Sequence, residues 1–312
     1  MHFQTAGARG RTVLLGAVLA ALQLVPAPAR AEDPKFAYGK AGEIAKLPPW
    51  AASVQAGFGM TTGNAQSLNL SGAGMVSHRF TPNDLLAFDA SVAFQRSTVQ
   101  TAVDSQPADG VITPNELQTI TQSVSEAWAT KLRYDHFFDL NAVYGLVFAG
   151  CDIPAGKQFV GGAQAGYSRA LYKTATSELV GELGFDYTYQ RYVVGDPNSI
   201  NIAALRAYLG YLGNPTPDLS YSASIEYLGN LNTENTPTGQ VGVFGDNRAA
   251  GKLAVTWKIF GNGSMGFRFR ALYDSAPAPK PPPAGFSWAA GYQPLANPWD
   301  TFTELVLVYK LL

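Results

Sequence analysis

The sequence is short of cysteine, charge, histidine and long apolar runs, and each shortage removes a class of protein. Cys151 is the one cysteine in 312 residues. It allows no internal disulfide, it belongs to no metal-ligand spacing, and it lies too far from the N-terminus to anchor a lipoprotein. Charged residues make up 14% of the chain, against about a quarter in an ordinary soluble domain. The formal net charge is −1, so no basic footprint exists for nucleic acid, and nucleic acid is not an expected partner. Past residue 31 no apolar run reaches the length of about 18 residues that a transmembrane helix requires. A chain that crosses a bilayer without such a helix must do so as a closed barrel, because only then is every backbone polar group satisfied.

The N-terminal segment reads as a targeting signal. Arg9 and Arg11 precede an apolar stretch from Val13 to Val25, and Ala29-Arg30-Ala31 supplies the small-x-small pattern of a cleavage site. Residues 1–31 are therefore expected to be removed, and residues 32–49, polar and ending in Pro48-Pro49, to form a periplasmic tail. Residues 50–312 remain for the fold.

That remainder alternates with a period of two almost throughout. Trp50, Ala52, Val54, Ala56 and Phe58 share one face. Leu86, Phe88, Ala90, Val92 and Phe94 oppose Asp89, Ser91 and Gln95. Val124, Trp128, Leu132 and Tyr134 oppose Ser125, Lys131, Arg133 and Asp135. Leu179, Leu183, Phe185, Tyr187 and Tyr189 oppose Glu182, Asp186, Thr188 and Gln190, and Tyr221, Ala223, Ile225 and Tyr227 oppose Ser220, Ser222, Ser224 and Glu226. Alternation is the strand signal, and the polar face is too polar for a sandwich core. In the run Asn141 to Phe148 the expected apolar face is Ala142, Tyr144, Leu146 and Phe148. The last run, Phe302 to Leu312, is apolar on both faces.

Three features favour a membrane barrel over a soluble sandwich. The runs reach about 10 residues, as tilted membrane strands must. Aromatics gather at both ends of the apolar face, with Phe80, Tyr134, Phe137, Tyr211, Tyr221, Phe260 and Tyr309 at one end. Phe58, Phe94, Phe148, Tyr189, Tyr227 and Tyr273 mark the other, giving the two interfacial belts. Short connections such as Arg79 to Asp84 and Gly261 to Ser264 alternate with long ones at Ser97 to Thr121, Asn230 to Asp246 and Asp274 to Thr301. The expected fold is an all-β, transmembrane, antiparallel up-and-down β-barrel of about 12 strands in the bacterial outer membrane, with short periplasmic turns and long extracellular loops. Its expected partners are outer-membrane lipid, the outer-membrane assembly machinery and small polar solutes or ions. No cofactor is expected.

The stretch from Trp50 through Arg79, with Thr62, Gly63, Asn64 and Ala65 as its loop, resembles the opening strand–loop–strand of the salt-stress-induced outer-membrane proteins, the family labelled domain of unknown function 481. Gly63-Asn64 is also an ordinary hairpin signal. The resemblance implies a location and a fold, and no catalytic residues. Leu312 stands where outer-membrane barrels commonly end in an aromatic residue that the assembly machinery reads.

Candidate chemistry falls in three places. Asp109, Val111 and Glu116 fit the second half of a calcium loop, whereas Ser105 and Pro107 stand where its first carboxylates belong. His78 and His136 are the histidines beyond the signal. Both fall near short turns and read as interfacial residues facing outward, with no serine on the same face to activate, so no catalysis is expected and a lipid-modifying enzyme is the remote alternative. The inward face carries acidic Glu182, Asp186 and Glu226 and basic Arg206, Arg248, Lys252, Lys258, Arg268 and Arg270. They form either a salt-bridge ladder that fills the lumen or a transverse field across a narrow channel. The functional expectation is a porin-like narrow channel or an envelope-structural barrel, and the alternative is a surface-exposed binding protein that uses its long loops. The proline-rich run Ala276 to Pro283 reads as an exposed extended loop.

Overall fold

In a computed structural model of the chain, residues 49–61, 65–102, 117–153, 155–280, 295–296 and 298–311 are described. Fourteen strands follow one another among these residues. They are β1 (Trp50–Thr61), β2 (Ala65–Thr81), β3 (Asp84–Ala102), β4 (Leu117–Phe138), β5 (Asn141–Asp152), β6 (Lys157–Lys173), β7 (Ser177–Tyr192), β8 (Ser199–Thr216), β9 (Leu219–Asn230), β10 (Glu234–Thr236), β11 (Gly239–Val241), β12 (Asn247–Phe260), β13 (Gly263–Asp274) and β14 (Trp299–Lys310). Twelve of them close a barrel in the order β1-β14-β13-β12-β9-β8-β7-β6-β5-β4-β3-β2, with each neighbouring pair antiparallel. β10 and β11 form a separate hairpin inside the loop that joins β9 to β12. The seam between β1 and β14 is short and runs from Ser53↔Lys310 to Ala56↔Leu307. The signal and tail residues 1–48, the loop residues Thr62, Gly63 and Asn64, and the calcium candidates Asp109, Val111 and Glu116 lie outside the described residues.

The alternation read from the sequence becomes an inside and an outside. Leu183, Leu305 and Val92 are about 60% exposed (63%, 62% and 60%) although large and apolar, and they belong to a belt that includes Phe88, Leu132, Phe185, Leu205, Ile225, Leu253 and Phe267. Such a belt around a closed barrel is stable in hydrocarbon and not in water. Ser53, Asp89, Ser91, Arg133, Asp135, Ser168, Glu182, Asp186, Thr188, Gln190 and Arg206 are buried inside. The protein is an outer-membrane β-barrel.

One end is closed by short turns. At the β4–β5 turn Asp139 takes φ 56°, and at the β12–β13 turn Gly261 takes φ 44°; both residue types tolerate this left-handed region. Adjacent turns are knitted together where the Phe137 N–H donates to Asn83 O at 2.7 Å and the Lys258 N–H to Asp218 O at 2.8 Å.

Three expectations are corrected. Ala142, Tyr144 and Leu146 are buried in the lumen, and Val143 and Val147 face the lipid. The β5 run is apolar on both faces, so alternation cannot orient it. Its register does, because Arg133↔Leu146 places Leu146 on the side of the inward Arg133. Phe137 is 1% exposed and belongs to an inner apolar layer with Leu85, Ala142, Ala170 and Val180, not to the aromatic belt. The run from Ala276 is not an exposed loop at its start. Ala278 is fully buried against Tyr192, Ile200, Ile202 and Ala204, and the Ala296 N–H donates to Ala278 O at 2.8 Å.

Candidate functional site: the barrel lumen

Inward positions of six consecutive strands build one ion-paired network. Arg133 of β4 donates from Nε and Nη2 to the Asp135 carboxylate at 2.9 and 2.7 Å. The same guanidinium crosses the lumen to Glu182 of β7, with Nη2 2.7 Å from Oε1. Ser168 of β6 donates to Glu182 Oε1 at 3.2 Å. From the other side Arg206 of β8 donates to Glu182 Oε2 at 2.6 Å, and its Nε donates to Glu226 of β9 at 2.6 Å. Charges thus alternate along Asp135–Arg133–Glu182–Arg206–Glu226, and the Glu182 side chain has no exposure to solvent. Buried charges of this kind are tolerable because each is paired and hydrogen-bonded.

Tyr144 of β5 fits the network together. Its ring lies under the Arg133 guanidinium at 4.3 Å, and its hydroxyl accepts from Arg206 Nη1 at 2.9 Å. There is room for the ring because Gly166 and Gly184 are register partners on β6 and β7. A Cβ at either would lie 2.7 or 2.5 Å from the Tyr144 hydroxyl.

Layers stack along this wall. The apolar layer around Phe137 lies nearest the short turns, followed by the ion network and then by Asp186. Asp186 accepts from Gln164 and Thr188 at 2.8 Å each and lies 3.8 Å from Arg248. Lys131 lies 3.6 Å from Asp89, and Lys157 lies 2.8 Å from Asp274. These pairs, the ion network and Asp186 line one side of a cavity of about 300 Å³ that spans the lumen, and Lys252, Arg270 and Asp300 line its opposite side. Pro277 and Ala278 line it from the loop end.

The opposite wall, β9 to β14, is built differently. Small residues alternate inward, with Ser224 and Ser222 of β9 opposite Lys252 and Ala254 of β12. Ser222 is exposed despite facing inward, so space remains at its level. Arg268 donates to Gln55 of β1 across the seam strand and is the register partner of Glu304. Lys258 is exposed at the turn end of β12. Arg133, Asp135 and Tyr144 belong to the site although sequence reasoning did not include them. Arg133 and Asp135 were visible on a polar strand face, while Tyr144 carried no signal.

The histidines lie elsewhere. His78 stacks on Trp50 at 4.0 Å and meets Phe80 edge-on at 4.5 Å. His136 Nδ1 is 2.8 Å from Asp84 Oδ1, which also accepts from the Tyr134 hydroxyl at 2.6 Å. Among the described residues no group of three or more His, Cys, Asp or Glu side chains is arranged to hold a metal ion.

Residues 54–284 match the family described as "Protein of unknown function, DUF481". The chain belongs to the DUF481 family. Comparison with curated proteins gives no match. Among solved structures this DUF481 barrel is similar to the NanC porin, with 9% identity, a TM-score of 0.44, and 84% of this chain and 100% of that chain covered. It is similar to an outer membrane channel from Pseudomonas putida F1, at 10% identity, TM-score 0.43, and 90% and 100% covered. The translocator domain of autotransporter NalP from Neisseria meningitidis gives 13% identity, TM-score 0.39, and 83% and 86% covered.

Proposed function

We propose that this DUF481 barrel is a narrow, porin-like channel for small polar solutes or ions, with no catalytic step of its own. The observation that carries this reading is the unequal filling of the lumen. One wall is packed by the Asp135–Arg133–Glu182–Arg206–Glu226 network, while the other leaves an inward serine, Ser222, exposed below a charged cavity of about 300 Å³. Barrels of about 8 strands are filled by their own side chains, and those of 16 or more hold an aqueous channel. A twelve-stranded barrel is half filled by such a network, and what remains is a restricted polar path. Ala278 and Pro279 reach over the mouth of that path, which supports a constricted entrance.

The test is conductance of the full-length protein in planar bilayers. Small, discrete ionic steps are expected. Silent membranes, together with ligand capture lost on deletion of residues 103–116, would instead support a surface-binding role. Phospholipid hydrolysis that disappears in His78→Ala or His136→Ala would overturn the non-catalytic reading.

A further inference from the structure

Among the described residues, seven acidic and seven basic side chains line the cavity, so its formal charge is zero. Their signs alternate strand by strand. The acids come from β3, β5, β7 and β9 and the bases from β4, β6, β8 and β12, while β13 carries one of each and β14 one acid. The balance is also local. Lys157 lies 2.8 Å from Asp274, Lys131 lies 3.6 Å from Asp89, and Arg248 lies 3.8 Å from both Asp186 and Asp246. Arg133 and Arg206 share Glu182 at 2.7 and 2.6 Å. On the other wall Arg270 acts on Asp300, and Lys252 stands diagonally across β9 and β12 from Glu226. Asp152, the remaining acid, is the register partner of Lys157. Acids and bases are thus interleaved around the lumen and do not collect on two opposite walls.

We propose that the cavity selects polar solutes of no net charge, zwitterions above all, and passes small ions of either sign without preference. A ring of alternating charges cancels at the axis, and its field fades within about one strand spacing of the wall, ~5 Å. An ion that sheds water there meets no net charge of opposite sign in return. A zwitterion of amino-acid size is treated differently. It sets its ammonium against an acid on one strand while its carboxylate faces the base on the next, so both ends are compensated. A cavity of about 300 Å³ lies at the small end of ligand pockets, which suits one such solute and not a polymer. This inference rests on the channel reading for passage, whereas the neutrality of the lumen is measurable without conduction.

The experiment reads the field of the lumen and the passage of solutes separately. Full-length protein carries Cys151→Ser, which removes the one native thiol, and Ala129→Cys, at an inward cavity position of β4 opposite Ser91 and Gly150. Its thiol is reacted in vesicles with a cationic and an anionic methanethiosulfonate, each rate being divided by that reagent's rate with a simple thiol. The two normalised rates are expected to agree within about threefold, the effect of one unbalanced charge about 6 Å away in water. Asp89→Asn leaves Lys131 in excess and is expected to raise the anionic-to-cationic ratio by roughly tenfold, because the two reagents respond in opposite directions. Lys131→Gln should lower the ratio by a similar factor, and Asp89→Asn with Lys131→Gln should restore it. In planar bilayers under a potassium chloride gradient, the reversal potential is expected near zero. Vesicles carrying the protein, corrected for protein-free vesicles, are expected to take up glycine faster than glycolate or ethanolammonium, its size-matched anion and cation. A starting ratio already skewed by roughly tenfold, or one that the double variant fails to restore, overturns the neutral lumen. Uptake of glycine slower than that of either ion overturns the solute class and leaves the channel standing. Balanced thiol rates with silent membranes and no uptake overturn the channel and support the neutral lumen. A thiol that reacts with neither reagent overturns both.

Discussion

Glu182→Gln keeps the shape of the side chain that joins the two halves of the lumen network and removes the negative charge that Arg133 and Arg206 share at 2.7 and 2.6 Å. Removing one partner of a buried ion pair costs about 3–5 kcal/mol when it strands an uncompensated charge. Here neither arginine is stranded, because Arg133 keeps Asp135 at 2.7 Å and Arg206 keeps Glu226 at 2.6 Å. The expected loss is therefore at the low end, about 3 kcal/mol, or roughly a hundredfold in the unfolding equilibrium. Urea unfolding of barrels refolded into vesicles, followed by tryptophan fluorescence, measures it as a lower midpoint at unchanged slope. A double-mutant cycle with Arg133→Gln should return a coupling of about 1–3 kcal/mol. A loss below about 0.5 kcal/mol, the range of ordinary surface substitutions, would mean that water reaches Glu182. The packed wall, and with it the narrow path, would then be wrong.

Leu183 lies near the middle of β7 on the outer belt, and Leu183→Arg should cost about 2–4 kcal/mol in the same vesicle assay if its surroundings are hydrocarbon; an effect near zero would place that face in water. Gly184→Val should push the Tyr144 ring off its glycine bed and break its contact with Arg206, with a loss of about 1–3 kcal/mol, whereas unaltered stability would show that the close approach is unimportant. Glu234, in the β10–β11 hairpin at the mouth, is pushed up to about 7 by burial and then by neighbouring Asp246, with Arg248 opposing. Its folded value lies above the ordinary 4.5, so its favourable contribution is complete below about pH 4.5 and is lost as pH rises through about 7. Hydrogen exchange over residues 231–246, corrected for intrinsic rates, should be faster at pH 8 than at pH 5, and Glu234→Gln should remove most of the difference. Equal protection at both values would refute the assignment.

Alternation made the barrel legible because a strand between lipid and a polar lumen must place every second side chain in hydrocarbon. Phe88, Val92, Leu183 and Ile225 were readable one by one for that reason. Alternation carries no direction where both faces are apolar. On β5 the larger set, Tyr144 among it, reads as lipid-facing, and only pairing with β4 turns it inward. Phe137 is ambiguous for a related reason, since an aromatic near a turn looks the same whether it meets the interface or an inner layer. Charges on the polar faces were visible, but not which of them meet. Arg133 reaches Glu182 from 49 positions away in sequence, and no local pattern encodes that distance.

The sequence by itself determined the membrane barrel and the faces of those strands that carry one polar side, because these follow from transfer between water and hydrocarbon, which acts residue by residue. The tertiary structure decided which lumen charges meet, and it folded Ala278 and Pro279 over the mouth. Those outcomes depend on strand register and closure. Both are set by all twelve strands together, and moving any pair by one residue would turn its inward side chains outward.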